Sequence, residues 1–443
     1  MTDVEKNNVY TVDVTGVGSE LQGVGRLPDG RVVFVPGAIP GEVVRLRVDA
    51  EKGRFCEASL LEVLEPSPDR VAPDCPVYGR CGGCQARHMT YARTLELKRR
   101  KVCDTLTRIG GFADPEVRPT LGCADPDRTR NKAEYPIACQ DGRMVIGAHA
   151  AGSRRVVPLD DCLLQHPSSV RAMNWLSKQL DILPAARHLK YLVTRVNRAG
   201  ELMMVLCGDA PIASELKALA PEGVFSLWYC HLDRRPTHAL DGKCTRLWGP
   251  ATLTETLFDL TFELSPQSFF QVNVAQTEAL YAQALDAAGI VPGCGLDVLD
   301  AYCGAGTISL SAARYAASVT GIEIVPPAIE NARQNARNNH IGNARFICGD
   351  AAREIPRLLS AGAHFDAAIL DPPRKGADQN LLDALADARV PTIAYVSCDP
   401  ATLARDLKRL AAHHYRLHFA QPVDMFPWTG HVETVVLLSK VER

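Results

Sequence analysis

Two groups of residues in this chain could do chemistry. The first is Ser397-Cys398-Asp399-Pro400, which follows a β-forming run and opens a helix-forming one. A thiol at a strand-to-helix junction is expected to gain thiolate character from the helix N-terminus. Most of the 15 cysteines read as small buried hydrophobes, and Cys398 is set apart by its loop position. The second group is Cys75-Pro76-Val77-Tyr78-Gly79-Arg80-Cys81-Gly82-Gly83-Cys84, a CxxxxxCxxC array whose glycines let backbone N–H groups point at sulfur. Three cysteines this close predict a metal or iron–sulfur site. The three-plus-one spacing fits a cubane cluster better than a zinc ribbon, whose cysteines come in two pairs. Spacing leaves Cys103, Cys123, Cys139 and Cys162 open as the fourth ligand.

Cys398 shares its neighbourhood with carboxylates placed at strand ends. Asp300 runs into Ala301-Tyr302-Cys303-Gly304-Ala305-Gly306-Thr307, Glu323 closes the following strand, Cys348-Gly349-Asp350 the third, and Asp371-Pro372-Pro373-Arg374-Lys375-Gly376 the fourth. Such ends converge on the crevice where open α/β sheets bind ligands, with Glu323 set for ribose hydroxyls and Asp350 for an adenine amino group. No P-loop lysine is present and only one close GxG, so the expected ligand is S-adenosylmethionine rather than a dinucleotide or ATP. A thiolate beside a methyl donor suits uracil. C5 of that ring is too weak a nucleophile for a methyl sulfonium until a thiolate adds to C6, and a base must then remove the C5 proton. His431 and Glu433, in Gly430-His431-Val432-Glu433, are candidates and would share one face of a strand.

The elements that must position these residues follow from pattern. Strands at 296–299, 319–324, 345–348, 365–370 and 392–396 alternate with helices at 307–315, 327–338, 381–388 and 400–413, the signature of βαβ units on a parallel sheet. Strands at 415–421 and 432–438 extend its edge. Residues 9–63 carry short strands between Gly and Pro turns, a small β-barrel. The middle, 122–266, is mixed, and periodicity does not give its fold. The expected architecture is therefore multidomain α/β: an OB-like barrel (1–67), a central α+β domain with the cysteine array (68–262), and a Rossmann-like methyltransferase sheet (263–443). Residues 90–120 are candidates to pack on the last of these.

Composition sets limits. With 443 residues, 46% hydrophobic and 23% charged, the chain holds two or three cores. Lys plus Arg (49) balance Asp plus Glu (51), which excludes a surface that is cationic throughout and leaves RNA contacts to local patches. The run Lys98-Arg99-Arg100-Lys101 reads first as a solvated helix face and second as an RNA contact. Arg130 and Lys132 are candidate phosphate contacts, and one of Phe269 and Phe270 is expected to stack on a base while the other packs in the core. Residues 1–9 are polar with no secretory h-region, and no apolar run reaches the ~18–20 residues of a membrane span. The expectation is a cytoplasmic protein with reduced thiols, no membrane contact and no obligate protein partner.

Ser265-Pro266-Gln267-Ser268-Phe269-Phe270-Gln271-Val272-Asn273, with 300–307, 371–376, 397–400 and 431–435, resembles the RNA uridine-C5 methyltransferases that make 5-methyluridine. The order and spacing match across the C-terminal half. The resemblance implies Cys398 as nucleophile, Glu433 as base, and a methyl-donor site of Gln271, Tyr302, Thr307, Glu323, Asp350 and Asp371, of which Tyr302, Thr307 and Asp350 stand where family members vary. It also implies a structural [4Fe-4S] cluster on Cys75, Cys81, Cys84 and Cys162, and a TRAM barrel at 9–63. The three parts together resemble the enzymes of 23S ribosomal RNA, since the family's transfer-RNA enzymes typically lack barrel and cluster. Two rivals differ in class. An amino-group methyltransferase also uses DPP, but it follows that motif with an aromatic where this chain has Arg374. A non-catalytic cluster-bearing RNA-binding sensor would not need Cys398.

Overall fold

The computed structural model describes residues 6–219 and 221–441, so the reading of the chain start falls partly outside the described residues. Five strands, β1 (Val9–Val17), β2 (Gly23–Arg26), β3 (Val32–Val35), β4 (Val43–Glu51) and β5 (Phe55–Glu65), close into a barrel in the order β1-β2-β3-β5-β4. Val12, Val14, Val33, Val35, Val44, Leu46 and Val48 fill it from alternate positions, as period-two patterning requires. Closure leaves no free strand edge.

Helix α1 (Tyr91–Thr105) follows, capped by Thr90, whose hydroxyl accepts the Arg93 amide. It packs on the C-terminal sheet rather than on the barrel's core. Behind it, Arg118 and Leu121 donate to the carbonyls of Ala420 and Pro422, so this segment covers that sheet's outer strand. The basic run is a solvated face only in part: Arg99 and Arg100 are exposed, with Arg99 donating to the Val117 carbonyl, whereas Lys98 is fully buried and ion-paired with Asp424 and Lys101 is tied to two carbonyls.

The middle of the chain forms a second sheet whose fold periodicity could not supply. Strands β6 (Lys132–Gln140), β7 (Arg143–His149), β8 (Val156–Pro158), β9 (Leu189–Val196), β10 (Leu202–Gly208), β11 (Ser226–Leu232) and β12 (Gly242–Trp248) lie in the order β12-β11-β10-β9-β6-β7-β8. Helices α2 (Pro167–Gln179) and α3 (Ala213–Leu216) are inserted in this part of the chain. A hairpin, β13 (Leu253–Leu257) with β14 (Leu260–Leu264), then leads into the last sheet.

That sheet comprises β15 (Asp297–Asp300), β16 (Ser318–Glu323), β17 (Ala344–Cys348), β18 (Ala367–Leu370), β19 (Thr392–Ser397), β20 (Tyr415–Val423) and β21 (Glu433–Lys440), in the order β17-β16-β15-β18-β19-β21-β20. Its strands are parallel apart from β21, which runs antiparallel to β19 and β20. The helices are α4 (Val274–Ala287), α5 (Thr307–Ala313), α6 (Pro326–Asn338), α7 (Ala351–Ser360), α8 (Gln379–Asp387) and α9 (Pro400–Ala412). Apolar residues on both faces of the strands make two clusters, as expected of a sheet buried on both sides. The alternation matches the sequence reading except at α7, which that reading passed over. Pro356 lies inside this helix and makes the segment look broken, although Ala351 and Ile355 bury one face.

Candidate active site

The site is built by a strand pairing. Ser397 of β19 lies opposite Thr434 of β21, and Val396 opposite Val435. The ladder ends there, and the residues that follow it on the two sides are Cys398, just past the end of β19, and Glu433, the first residue of β21. Because β21 is antiparallel, its first residue lies at the edge where the parallel strands end. Glu433 is only 4% exposed, and its charge acts directly on the Cys398 thiol.

The environment of Cys398 differs from the expected one. Asp399 caps α9, its Oδ1 accepting the Ala401 amide at 2.8 Å and the Thr402 amide at 3.1 Å, so the helix amides are already engaged. Burial, then Glu433 and Asp371, push the thiol up to about 11, against the opposing pull of Arg374. Arg374, which the sequence reading used to set aside amino-group methylation, thus belongs to the site. It also draws down Glu433, whose carboxyl burial and Asp371 raise to about 8. His431 lies just before β21 rather than on it, beside Cys398 and Arg374 in a broad cleft of about 1600 Å³ that extends to the barrel and α1.

Other carboxylates line the same edge. Asp371, half-buried after β18, is raised to about 7 by burial and then by Asp300. Asp300 is fully buried and raised to about 6, with Ser309 donating to one oxygen at 2.6 Å and the other left without a partner. The sequence reading expects Asp300 at the crevice as a strand-end carboxylate without an assigned role and does not single out Tyr281. Tyr281, on α4, places its hydroxyl 3.1 Å from that of Thr307 and lies near Asp371, Asp300 and Glu433. An aromatic on a helix carries no signal in sequence that separates this role from core packing.

Of the predicted donor-site residues, Tyr302 and Thr307 flank the glycine turn and Glu323 is bonded to it. Gly306 has φ +85°, and a Cβ there would meet Ala332 at 3.1 Å, so glycine is required. Glu323 accepts the Gly304 amide at 3.3 Å and the Val325 amide at 2.9 Å, which leaves lone pairs on both oxygens for hydroxyl donors. Beside it the Ile324 side chain is 66% exposed. Asp350 is exposed and caps α7 through the Ala352 amide at 3.0 Å, while the Tyr302 hydroxyl accepts the Asp378 amide at 3.2 Å. Gln271 is half-buried, and its carbonyl accepts from Asn131 at 3.1 Å. Of the two phenylalanines, Phe270 packs on Phe262 in the core, whereas Phe269 is 80% exposed.

The cysteines converge in part. Cys75, Cys81 and Cys162 pack on one core, and the thiols of Cys81, Cys84 and Cys162 act on one another, with Cys75 acting on Cys81. Of the four candidates for the last position, Cys162 joins this set; Cys123 instead donates to the Asp424 carbonyl and accepts from Asn273. Among the described residues no three His, Cys, Asp or Glu side chains are grouped to hold a single metal ion. Arg130 is not an open phosphate contact. It is half-buried over Phe426, near Cys84 and Cys162, and Lys132 is paired with Glu134 at 2.8 Å.

Residues 254–441 match the family model described as tRNA (Uracil-5-)-methyltransferase, and residues 3–61 match the TRAM domain. An uncharacterized RNA methyltransferase of Halalkalibacterium halodurans is 39% identical, covering 98% of each chain. The chain belongs to the RNA uracil-5-methyltransferase family. Another relative, an uncharacterized RNA methyltransferase of Clostridium acetobutylicum, is 37% identical over 99% of both chains. Among solved structures, Pyrococcus abyssi tRNA (uracil-54, C5)-methyltransferase in complex with S-adenosyl-L-homocysteine matches with a TM-score of 0.75 and 26% identity, covering 97% of this chain and 99% of its own. As a member of this family the protein is an S-adenosylmethionine-dependent RNA methyltransferase. The archaeal neighbour is a transfer-RNA enzyme that spans the barrel too, so having the barrel does not separate ribosomal from transfer-RNA methyltransferases. No helix among the described residues is long and apolar enough to cross a membrane.

The crowded carboxyls give this methyltransferase a distinctive pH response. Asp300, Asp371 and Glu433, at about 6, 7 and 8, are raised above the ordinary ~3.9–4.3 of an unfolded chain. Their neutral forms favour the fold, so that contribution is whole below about pH 4 and is lost as pH rises through their folded values. Glu433→Gln is therefore expected to gain in ligand-free Tm on the wild type as pH rises from about 5 to 8. Thermal melts of both proteins check this, and a constant difference between them contradicts it.

Proposed function

We propose that this enzyme methylates C5 of uracil in 23S ribosomal RNA, giving 5-methyluridine, through covalent addition of Cys398 to C6. The observation that carries the reading is the ladder end that brings Cys398 and Glu433 together on the carboxylate-lined edge. The Cys398 thiol gives its proton to water in the open cleft as the S–C6 bond forms, which places the ring's electron pair on C5 and O4. C5 takes the methyl of S-adenosylmethionine, releasing S-adenosylhomocysteine. Glu433 as carboxylate removes the C5 proton, the C5=C6 bond reforms and Cys398 departs. Arg374 supplies positive charge beside both groups, where the ring oxygen gathers negative charge. Glu323 and Ile324 suit a ribose and an adenine face, and the exposed ring of Phe269 suits an unstacked base. Cys398→Ala is expected to abolish methylation while RNA binding persists; a variant that still methylates rejects the nucleophile. Glu433→Gln is expected to accumulate a protein–RNA adduct that survives denaturing gels, since addition can proceed and elimination cannot, and its absence removes Glu433 as the base.

Cys75, Cys81, Cys84 and Cys162 are the residues that would hold a [4Fe-4S] cluster, with Arg87 and Arg130 nearby to offset thiolate charge. Bound there, the cluster would cross-link segments of the central domain, because methyl transfer needs no electron. Anaerobically purified protein is expected to be coloured and to contain iron; a colourless protein with stoichiometric zinc contradicts the assignment.

The choice of 23S RNA rests on the resemblance of the catalytic motifs together with the cysteine array to those enzymes, the barrel adding nothing to it. The archaeal transfer-RNA neighbour supports a second reading, uracil-C5 methylation of transfer RNA. Incubation with total RNA from cells lacking 5-methyluridine, followed by nuclease digestion and mass spectrometry, separates the two. New methyl groups in 23S fragments are the expected result, and methyl groups only in transfer RNA overturn the substrate while keeping the chemistry.

A further inference from the structure

The connection between β20 and β21, residues 424–432, leaves the sheet at Val423 and returns at Glu433, and those two residues are paired with each other. It is a closed strap whose last step delivers Glu433 to the site. Three parts of the chain outside residues 254–441 hold it. From α1, Lys98 forms a buried ion pair with Asp424 and donates to the Phe426 carbonyl at 2.9 Å. Tyr91 donates to the other Asp424 oxygen at 2.6 Å. One turn on, the Lys101 ammonium donates to the Gly430 carbonyl at 2.8 Å and to Ser19 of the barrel at 2.7 Å. From the segment after the cysteine array, Gln85 and Ala86 donate to the Trp428 carbonyl, and the Trp428 indole donates to Asp127 at 2.9 Å. From the barrel, the backbone of Glu20 lies so close to Gly430 that a Cβ there would meet it at 2.9 Å.

Two features show that the strap is held in one conformation rather than merely covered. Trp428 has φ +62°, a backbone state that a bulky residue keeps only when its surroundings dictate it. Lys98 and Asp424 are both fully enclosed, and two buried charges are a poor way to gain stability, because an apolar pair of the same volume does as well or better. What the charges add is direction. Asp424 takes a partner on each oxygen and Lys98 reaches two acceptors two residues apart, so the path of the chain toward Glu433 is specified at its start.

We propose that Lys98 and Asp424 are positioning residues for proton removal: they set the strap so that Glu433 reaches the C5 proton of the covalent adduct. The inference rests on the addition–elimination reading above. Lys98 acts on the reacting ring only through Asp424 and the strap, so its loss slows breakdown of the adduct more than its formation.

Lys98→Met combined with Asp424→Asn removes both charges at once, keeps an acceptor for Tyr91 and avoids a stranded buried ion. This double variant is compared with wild type and Glu433→Gln in single-turnover reactions on the substrate RNA, following the denaturant-stable adduct. S-adenosylhomocysteine affinity and melting temperature are measured on the same samples. The expected result is unchanged S-adenosylhomocysteine binding and adduct formation, with breakdown slowed on the order of 10- to 100-fold, the scale of a misplaced catalytic group. Asp424→Glu, which keeps the pair, is expected to recover part of the rate. Adduct that forms and decays at the wild-type rate overturns the proposal, and so does a folded double variant that cannot form adduct at all. If Glu433→Gln itself yields no adduct, the addition–elimination reading falls and takes this inference with it; if Glu433→Gln traps adduct and the double variant does not, only this inference falls.

Discussion

Strand β21 runs against its parallel neighbours, and with Ser397 set opposite Thr434 its first residue arrives at the edge where the other strands of the sheet end. A parallel strand in that position would have delivered its last residue there and left Glu433 at the far side. The register also fixes the partner, since a slip of one residue would turn Glu433 to the opposite face of the sheet. Thiol, carboxyl and donor-site carboxylates therefore meet because of a topological feature, and the doubly wound layers around β15 to β19 supply the rigidity that keeps them there.

This arrangement concentrates acidic groups where water is scarce. Burial and mutual repulsion raise Asp300, Asp371 and Glu433, and Arg374 is the cation that offsets them beside Cys398. A base raised to about 8 is matched to abstracting a proton near neutral pH better than a solvated glutamate would be. The same crowding favours the protonated form of the Cys398 thiol. Folding tolerates the strain because the surrounding apolar clusters are extensive, and the strap is pinned by side chains from three other segments.

Much of this could be read from the sequence, for identifiable reasons. Parallel strands buried on both faces appear as short apolar runs, and residues such as Cys398, Glu323 and Asp371 stand at their ends, so position in the pattern predicted position in space. The central sheet was not legible, because its order joins β9 to β6 across a long separation and sets β10 parallel to β11, pairings that no local period records. Pro356 concealed α7. Electrostatics failed in both directions. The thiolate expected from the α9 dipole was cancelled by Asp399 and the carboxyls, and Lys98, read as part of a solvated face, is buried against Asp424 from the far end of the chain. Charge environment is tertiary information, and a single sequence does not carry it.

The central claim is that Cys398 bonds to C6 of the target uracil and that Glu433 must then remove the C5 proton. Substrate RNA containing 5-fluorouridine tests it most directly, because fluorine at C5 cannot leave as a cation and the reaction should halt after methyl transfer. Incubation with labelled S-adenosylmethionine, denaturation and peptide mapping are expected to find one RNA adduct on the peptide containing Cys398, carrying the transferred methyl. Methylated RNA released without an adduct, or an adduct on another residue, contradicts the account.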